Sequence, residues 1–143
     1  MTELPLPIGA EATFSKTVGE SDVYLFAGIT GDLSPNHVDE DFMRRTAYGR
    51  RIAHGALVVG FMSTASTAIL AGRSSPGETP VSLGYDRIRF VAPVFIGDTI
   101  TVTYRVESAD TAKRETRAAV TVRNQAGATC AVATHIMRWV ANA

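Results

Sequence analysis

Cysteine is nearly absent from this chain of 143 residues: Cys130 stands alone and cannot close an intrachain disulfide, so stability must come from a packed core. Net charge is absent too. Fourteen Lys and Arg against fourteen Asp and Glu leave a formal charge of zero with no long basic run, which argues against nucleic acid or an anionic membrane surface as partner. The opening MTELPLPIGA has neither a basic stretch nor a long apolar one, so a secretory leader is not expected. The longest weakly polar stretch, residues 52–70, is interrupted by His54, Ser63, Thr64, Ser66 and Thr67 and is too polar for lipid. Glycine-rich dinucleotide, phosphate-loop and Gly-x-Ser-x-Gly patterns are missing, as are His-x-x-x-His and Cys-x-x-Cys spacings. The expectation is therefore a cytoplasmic protein in a reducing compartment, with no metal and no cofactor.

What is present suits one domain over residues 1–143, without repeats or long linkers. Hydrophobic residues at 45% are enough for one buried core, and charged residues at 20% are too few for a disordered chain. Residues 12–18 alternate as a strand. Ser21 then precedes apolar residues at helical spacing (Val23, Phe26, Ala27) and reads as an N-cap. Pro35 biases Ser34 away from helical angles, so residues 31–36 read as a turn. A short helix over 39–47 follows, acidic at its start and basic later. Residues 55–70 (GALVVGFMSTASTAIL) carry no charge and are small or apolar on nearly every face, which predicts a central helix buried all round. After a Gly/Ser/Pro-rich loop at 71–80, strands are expected over 81–91, 99–108, 116–123 and 129–140, joined by short turns. A strand, one long apolar helix and a run of antiparallel strands make an α+β arrangement in which the sheet wraps the helix, the layout of the hot-dog fold.

Among titratable groups, Asp32 and His37 stand out, five residues apart across a proline-containing turn. A carboxylate beside an imidazole can hold one water by two hydrogen bonds and move its proton. An Asx-turn with an exposed histidine has the same spacing. Gly55, opening the uncharged helix, has no side chain to obstruct its N–H, and a helix start of this kind suits an oxygen gaining negative charge. Close packing where chain enters helix is the other reason for a glycine there.

The segment FAGITGDLSPNHVD, residues 26–39, resembles the signature of the MaoC-like dehydratases, or (R)-specific enoyl-CoA hydratases: Gly-Asp, any residue, Asn-Pro, an aliphatic residue and His, followed further on by a His-Gly helix opening. Asp, Pro and His fall on Asp32, Pro35 and His37, and His-Gly on His54-Gly55. Residues 89–100 (RFVAPVFIGDTI) are similar to the strand–turn–strand of hot-dog proteins. Ser34 and Asn36 depart from the pattern, standing where the family has Asn and an aliphatic residue. The resemblance implies hydration of a trans-2-enoyl-CoA to (R)-3-hydroxyacyl-CoA, or the reverse. Asp32 and His37 would act on water, Gly55 N–H would hold the thioester oxygen, and Ser34, Asn36, His54 and Ser63 would contact substrate. Coenzyme A or an acyl carrier would enter as the substrate's handle, and two copies would join sheet edges as a homodimer.

Arg44, Arg45, Arg50 and Arg51 offer charge for coenzyme A phosphates, although arginines ending a helix more commonly face solvent. Two rival functions remain. A hot-dog thioesterase usually carries its carboxylate on the central helix, which has none here, and a non-catalytic acyl-thioester-binding subunit is motivated by the Ser34 and Asn36 departures.

Overall fold

The computed structural model describes residues 3–143. In chain order its elements are β1 (Glu11–Thr17), α1 (Glu20–Thr30), α2 (Pro35–Val38), α3 (Glu40–Arg44), α4 (Gly55–Ala68), β2 (Glu78–Phe90), β3 (Thr99–Asp110), β4 (Glu115–Arg123) and β5 (Thr129–Ala141). The strands form one antiparallel sheet in the order β1-β3-β4-β5-β2. On β3, Ile100, Val102, Tyr104 and Val106 point inward, as the period-two alternation requires. They meet Val58, Phe61, Met62 and Ala65 of α4 and Ile69 just past its end, together with Val120, Val122, Met137 and Trp139. This is the hot-dog arrangement.

The central helix differs from expectation in its coverage. Val58, Phe61, Met62, Ala65 and Ser66 are buried, whereas Ala56, Gly60, Ser63, Thr64, Thr67 and Ala68 are exposed. Small uncharged residues can be buried all round, but one sheet of one chain covers only one face of a helix.

Local chemistry also moves several boundaries. Helix α1 starts two residues earlier than Ser21 predicts, because Asp22 accepts the Gly19 N–H at 2.8 Å and pairs with Lys16 at 3.2 Å, making Gly19 the N-cap. Gly31, at φ +79°, ends it in the left-handed conformation. The turn at 31–36 contains helix α2: Ser34 is extended as a pre-proline residue should be, and Pro35 occupies the first helical position, where a missing N–H costs nothing. Asp39 caps α3 by accepting the Phe42 N–H at 2.9 Å. Strand β2 begins at Glu78, inside the expected loop. It is a sheet edge, irregular at Ser82/Gly84 and at Asp86/Arg89, where Arg87 takes φ +54°.

Arg51 ties the parts that hold the segment before α4. Its guanidinium bonds Glu40 at 2.5 Å, Glu20 at 2.6 Å and the Tyr24 hydroxyl at 2.6 Å. Those bonds to Glu40 lower that carboxyl below its usual range. Opposite, the buried Asp98 carboxylate accepts from Phe95 N–H at 2.9 Å and from Gln125 at 2.8 Å, fixing the turn into β3. Ala53 N–H then reaches Val94 carbonyl at 2.7 Å, so the two segments flanking the site are bound to each other. Among the described residues, no helix is long and apolar enough to cross a membrane.

Candidate active site

Asp32 follows the left-handed Gly31 in the connection between α1 and α2. Its N–H reaches the Thr30 hydroxyl at 3.2 Å, and that hydroxyl donates to Phe26 carbonyl at 2.6 Å. The side chain is exposed and takes only a long contact from Ser34 N–H, at 3.4 Å. On α2, His37 is buried, and its Nδ1 lies 2.7 Å from the Ile52 carbonyl. A carbonyl only accepts, so Nδ1 carries the hydrogen and Nε2 is left for chemistry. Ile52 N–H returns a bond to Asn36 carbonyl at 3.0 Å, closing a backbone clamp around the histidine.

Asp32, His37 and His54 each offer a ligand-type atom, and these atoms lie within 4.8 Å of one another. Two hydrogen bonds to one water span about 4.6 Å, so a bridging water fits between carboxylate and imidazole. The turn-spanning pair of Asp32 and His37 could be read in the sequence, but the 17 positions separating His54 from His37 concealed that it joins them as a third potential metal ligand. The His54 Nε2 already bonds Asp32 carbonyl at 3.0 Å, and its ring is stacked behind His37 at 3.7 Å between centroids.

His37 and Gly55 share the wall of a cavity of about 260 Å³, with Tyr48, Val58, Phe90, Val94 and Cys130 also lining it. Burial and the nearby Asp98 push the Cys130 thiol up from its ordinary value. Gly55 is tied to this cavity by packing: a Cβ there would come within 2.5–2.9 Å of the Phe90 ring. The close-packing reason for this glycine is therefore real. At the same time His54, the N-cap of α4, makes no side-chain capping bond, so the first N–H groups of the helix are not taken up by a cap.

The other sequence-derived candidates lie in different surroundings. Ser34 is partly buried, and its carbonyl receives His37 N–H at 2.9 Å. Asn36 has an exposed side chain and contributes through its backbone. His54, expected at the substrate, is 1% exposed and sits beneath the site. Ser63 is exposed two turns along α4; with Ser66 it faces the Tyr85 hydroxyl, whose pKa burial raises and the two serines partly restrain. Arg51 is held by acids, Arg45 by Asp41 at 2.6 Å, and Arg50 lies 3.9 Å over the Phe95 ring. Phe90 and Tyr48 escaped sequence reasoning because aromatic residues near a strand end and a turn carry no spacing signal.

The fold and this cluster define a hot-dog protein with an acid–imidazole pair beside a helix N-terminus. Residues 5–128 match the MaoC-like domain family, and the chain belongs to that family. It is 45% identical over 98 residues to an (R)-specific enoyl-CoA hydratase of Rhodospirillum rubrum, a match covering 68% of this chain and 64% of that protein, under two thirds of its length. Against 3-hydroxybutyryl-CoA dehydratase of Methylorubrum extorquens the identity is 38%, over 81% of this chain and 70% of the relative. Among solved structures, the (R)-hydratase of A. caviae involved in PHA biosynthesis superposes with TM-score 0.80 at 30% identity, covering 93% and 96% of the two chains.

Proposed function

We propose that this chain is an (R)-specific enoyl-CoA hydratase, adding water across a trans-2-enoyl-CoA to form (R)-3-hydroxyacyl-CoA and catalysing the reverse dehydration. One observation carries the reading: the Asp32 carboxylate and the His37 ring come within one water's span, next to a cavity whose wall includes Gly55 at the start of α4. The names of the relatives point to the same reaction and handle.

Water would sit between Asp32 and His37. Asp32 takes a proton from it as the hydroxyl adds to C3 of the enoyl thioester, and that same proton goes on to C2, His37 sharing in the delivery by accepting and releasing it at the bare Nε2, so that the pair ends as it began. Charge that builds on the thioester oxygen faces the N–H of Gly55 and the positive end of α4; one such donor is typically worth about 3 kcal/mol in a transition state. The chemistry is acid–base throughout. Coenzyme A is part of the substrate, and turnover is expected to survive exhaustive chelation.

A second copy completes the reading. Strand β2 and strand β1 end the sheet, and one face of α4 is uncovered, so we infer a homodimer joined edge to edge. Light scattering at micromolar concentration is expected to give twice the chain mass.

The test follows loss of enoyl-thioester absorbance on mixing the protein with crotonyl-CoA, with chiral analysis of the product. Formation of (R)-3-hydroxybutyryl-CoA, lost in Asp32→Asn while binding persists, supports the proposal. Release of free coenzyme A, read with a thiol reagent, would assign a thioesterase instead. Binding without turnover across short and medium chains would assign a binding subunit.

A further inference from the structure

His54 occupies a position where helices favour Ser, Thr, Asp or Asn, yet its side chain caps nothing in α4. The ring turns toward the reactive segment instead. It is 1% exposed, tilted against Phe26 of α1 at 4.7 Å, and stacked on His37 at 3.7 Å with 27° between the planes. Its Nε2 lies 3.0 Å from the carbonyl oxygen of Asp32, while Nδ1 is buried without a hydrogen-bond partner. Because a carbonyl only accepts, Nε2 must carry the hydrogen, and Nδ1, which faces no acceptor, is the bare nitrogen.

We infer that His54 is a positioning residue for the reaction: it anchors Asp32 through the backbone while its ring backs His37, and it precedes Gly55 directly in the chain. This rests on the hydratase reading above. Residues 31–34 form no regular structure, and the Asp32 carboxylate is exposed with one long contact, so little else aims it. Thr30 fixes the Asp32 N–H and His54 fixes its carbonyl. Both peptide groups flanking the Asp32 Cα are thereby held, and the direction of its Cβ follows. Leaving the cap of α4 undone is the other half of the arrangement, because a capping side chain would occupy the N–H groups that face developing charge.

The hydrogen bond is the specific part, since any ring of this size fills the stack. His54→Phe keeps a ring against His37 and removes the donor; His54→Gln removes the ring and places a side-chain N–H at similar reach. A misplacement on the scale of 1 Å at a reacting group costs about a hundredfold. His54→Phe is therefore expected to lower kcat with crotonyl-CoA by roughly ten- to a hundredfold at nearly unchanged KM, and His54→Gln to recover most of that loss. Wild-type kcat in the Phe variant, or a Gln variant no better than Phe, would overturn the inference. If neither variant folds, nitrogen-15 NMR of the histidine rings in the native protein decides. An Nε2–H tautomer at His54 is expected, and an Nδ1–H tautomer sinks the proposal. A native protein that shows this tautomer but hydrates no enoyl thioester fails the functional reading and leaves the His54–Asp32 bond standing.

Discussion

His37 and His135 are both buried and both hydrogen-bonded, yet their rings are left with different capacities. In β5, His135 is fully enclosed, with Nδ1 2.7 Å from the Tyr104 hydroxyl and Nε2 2.7 Å from the Ser82 hydroxyl. Both nitrogens are satisfied, and burial lowers its pKa from 6.5 to about 4. The same burial pushes the Tyr104 phenol above its ordinary value. His37 has one nitrogen on the Ile52 carbonyl, its ring stacked on His54, and a place in a cavity wall. A histidine that joins strands has no nitrogen to lend, whereas one clamped through a single nitrogen is oriented and still reactive.

The largest expected effect breaks or upholds this contrast directly. Exchanging His37→Gln should lower turnover of crotonyl-CoA by about 10²–10⁴, the range for loss of a general acid–base group. His135→Gln, judged by the same assay, should stay within about threefold of the native rate, because no atom of His135 reaches the cavity. Equal losses in the two variants would show that His37 acts only through the fold.

Gly55 sharpens the comparison on the cavity side. A methyl at this position would meet the Phe90 ring at 2.5–2.9 Å, and that ring, 55% exposed, has room to swing. Folding should survive Gly55→Ala. The displaced ring should lower kcat/KM by roughly ten- to a hundredfold, and adding Phe90→Ala should return part of the loss, which a double-mutant cycle would register as coupling. Additive losses would mean that the ring and the glycine act independently.

On the sheet side the effect is one of stability. The folded state holds the His135 pKa below its unfolded value, so the unfolded chain binds a proton first. Stability from this group is complete above about pH 6.5 and falls as pH drops toward 4, by about 3 kcal/mol in all. Glu78, lowered by its bond to Arg114, adds its own acid loss in the same direction at lower pH. Subtracting the denaturation profile of His135→Gln from the native one isolates the histidine. A difference that does not change between pH 6.5 and 4 would show that the ring is not shielded from protonation.

How far the sequence could be read follows the range of the forces involved. The alternation of Ile100, Val102, Tyr104 and Val106 is a local consequence of the pleat, so the strand could be read directly, and the pairing of Asp32 with His37 across Pro35 is nearly as local. Coverage of α4 was not legible, because small residues such as Ala56, Gly60 and Ser63 suit burial and exposure alike. Nor was the place of His54, whose contacts with Asp32 and His37 reach back 22 and 17 positions to groups that no periodicity connects. The Ser82–His135–Tyr104 chain was hidden for the same reason: its members come from three strands, and strand pairing brings them together.

The smallest effect concerns Asn36, where the family pattern has an aliphatic residue immediately before the histidine. An amide there threatened to loosen His37. The structure locates the grip elsewhere: His37 N–H is held by Ser34 carbonyl, its ring by Ile52 carbonyl, and Asn36 takes part only by accepting Ile52 N–H. All three bonds use backbone carbonyls as acceptors, and the Asn36 side chain is exposed. Asn36→Leu is therefore expected to change kcat less than about twofold and to leave the melting temperature within a degree or two, as for surface positions generally. A rise of tenfold or more in kcat would show instead that the side chain at this position restrains His37, and that the backbone clamp is insufficient to hold the ring in its reactive orientation.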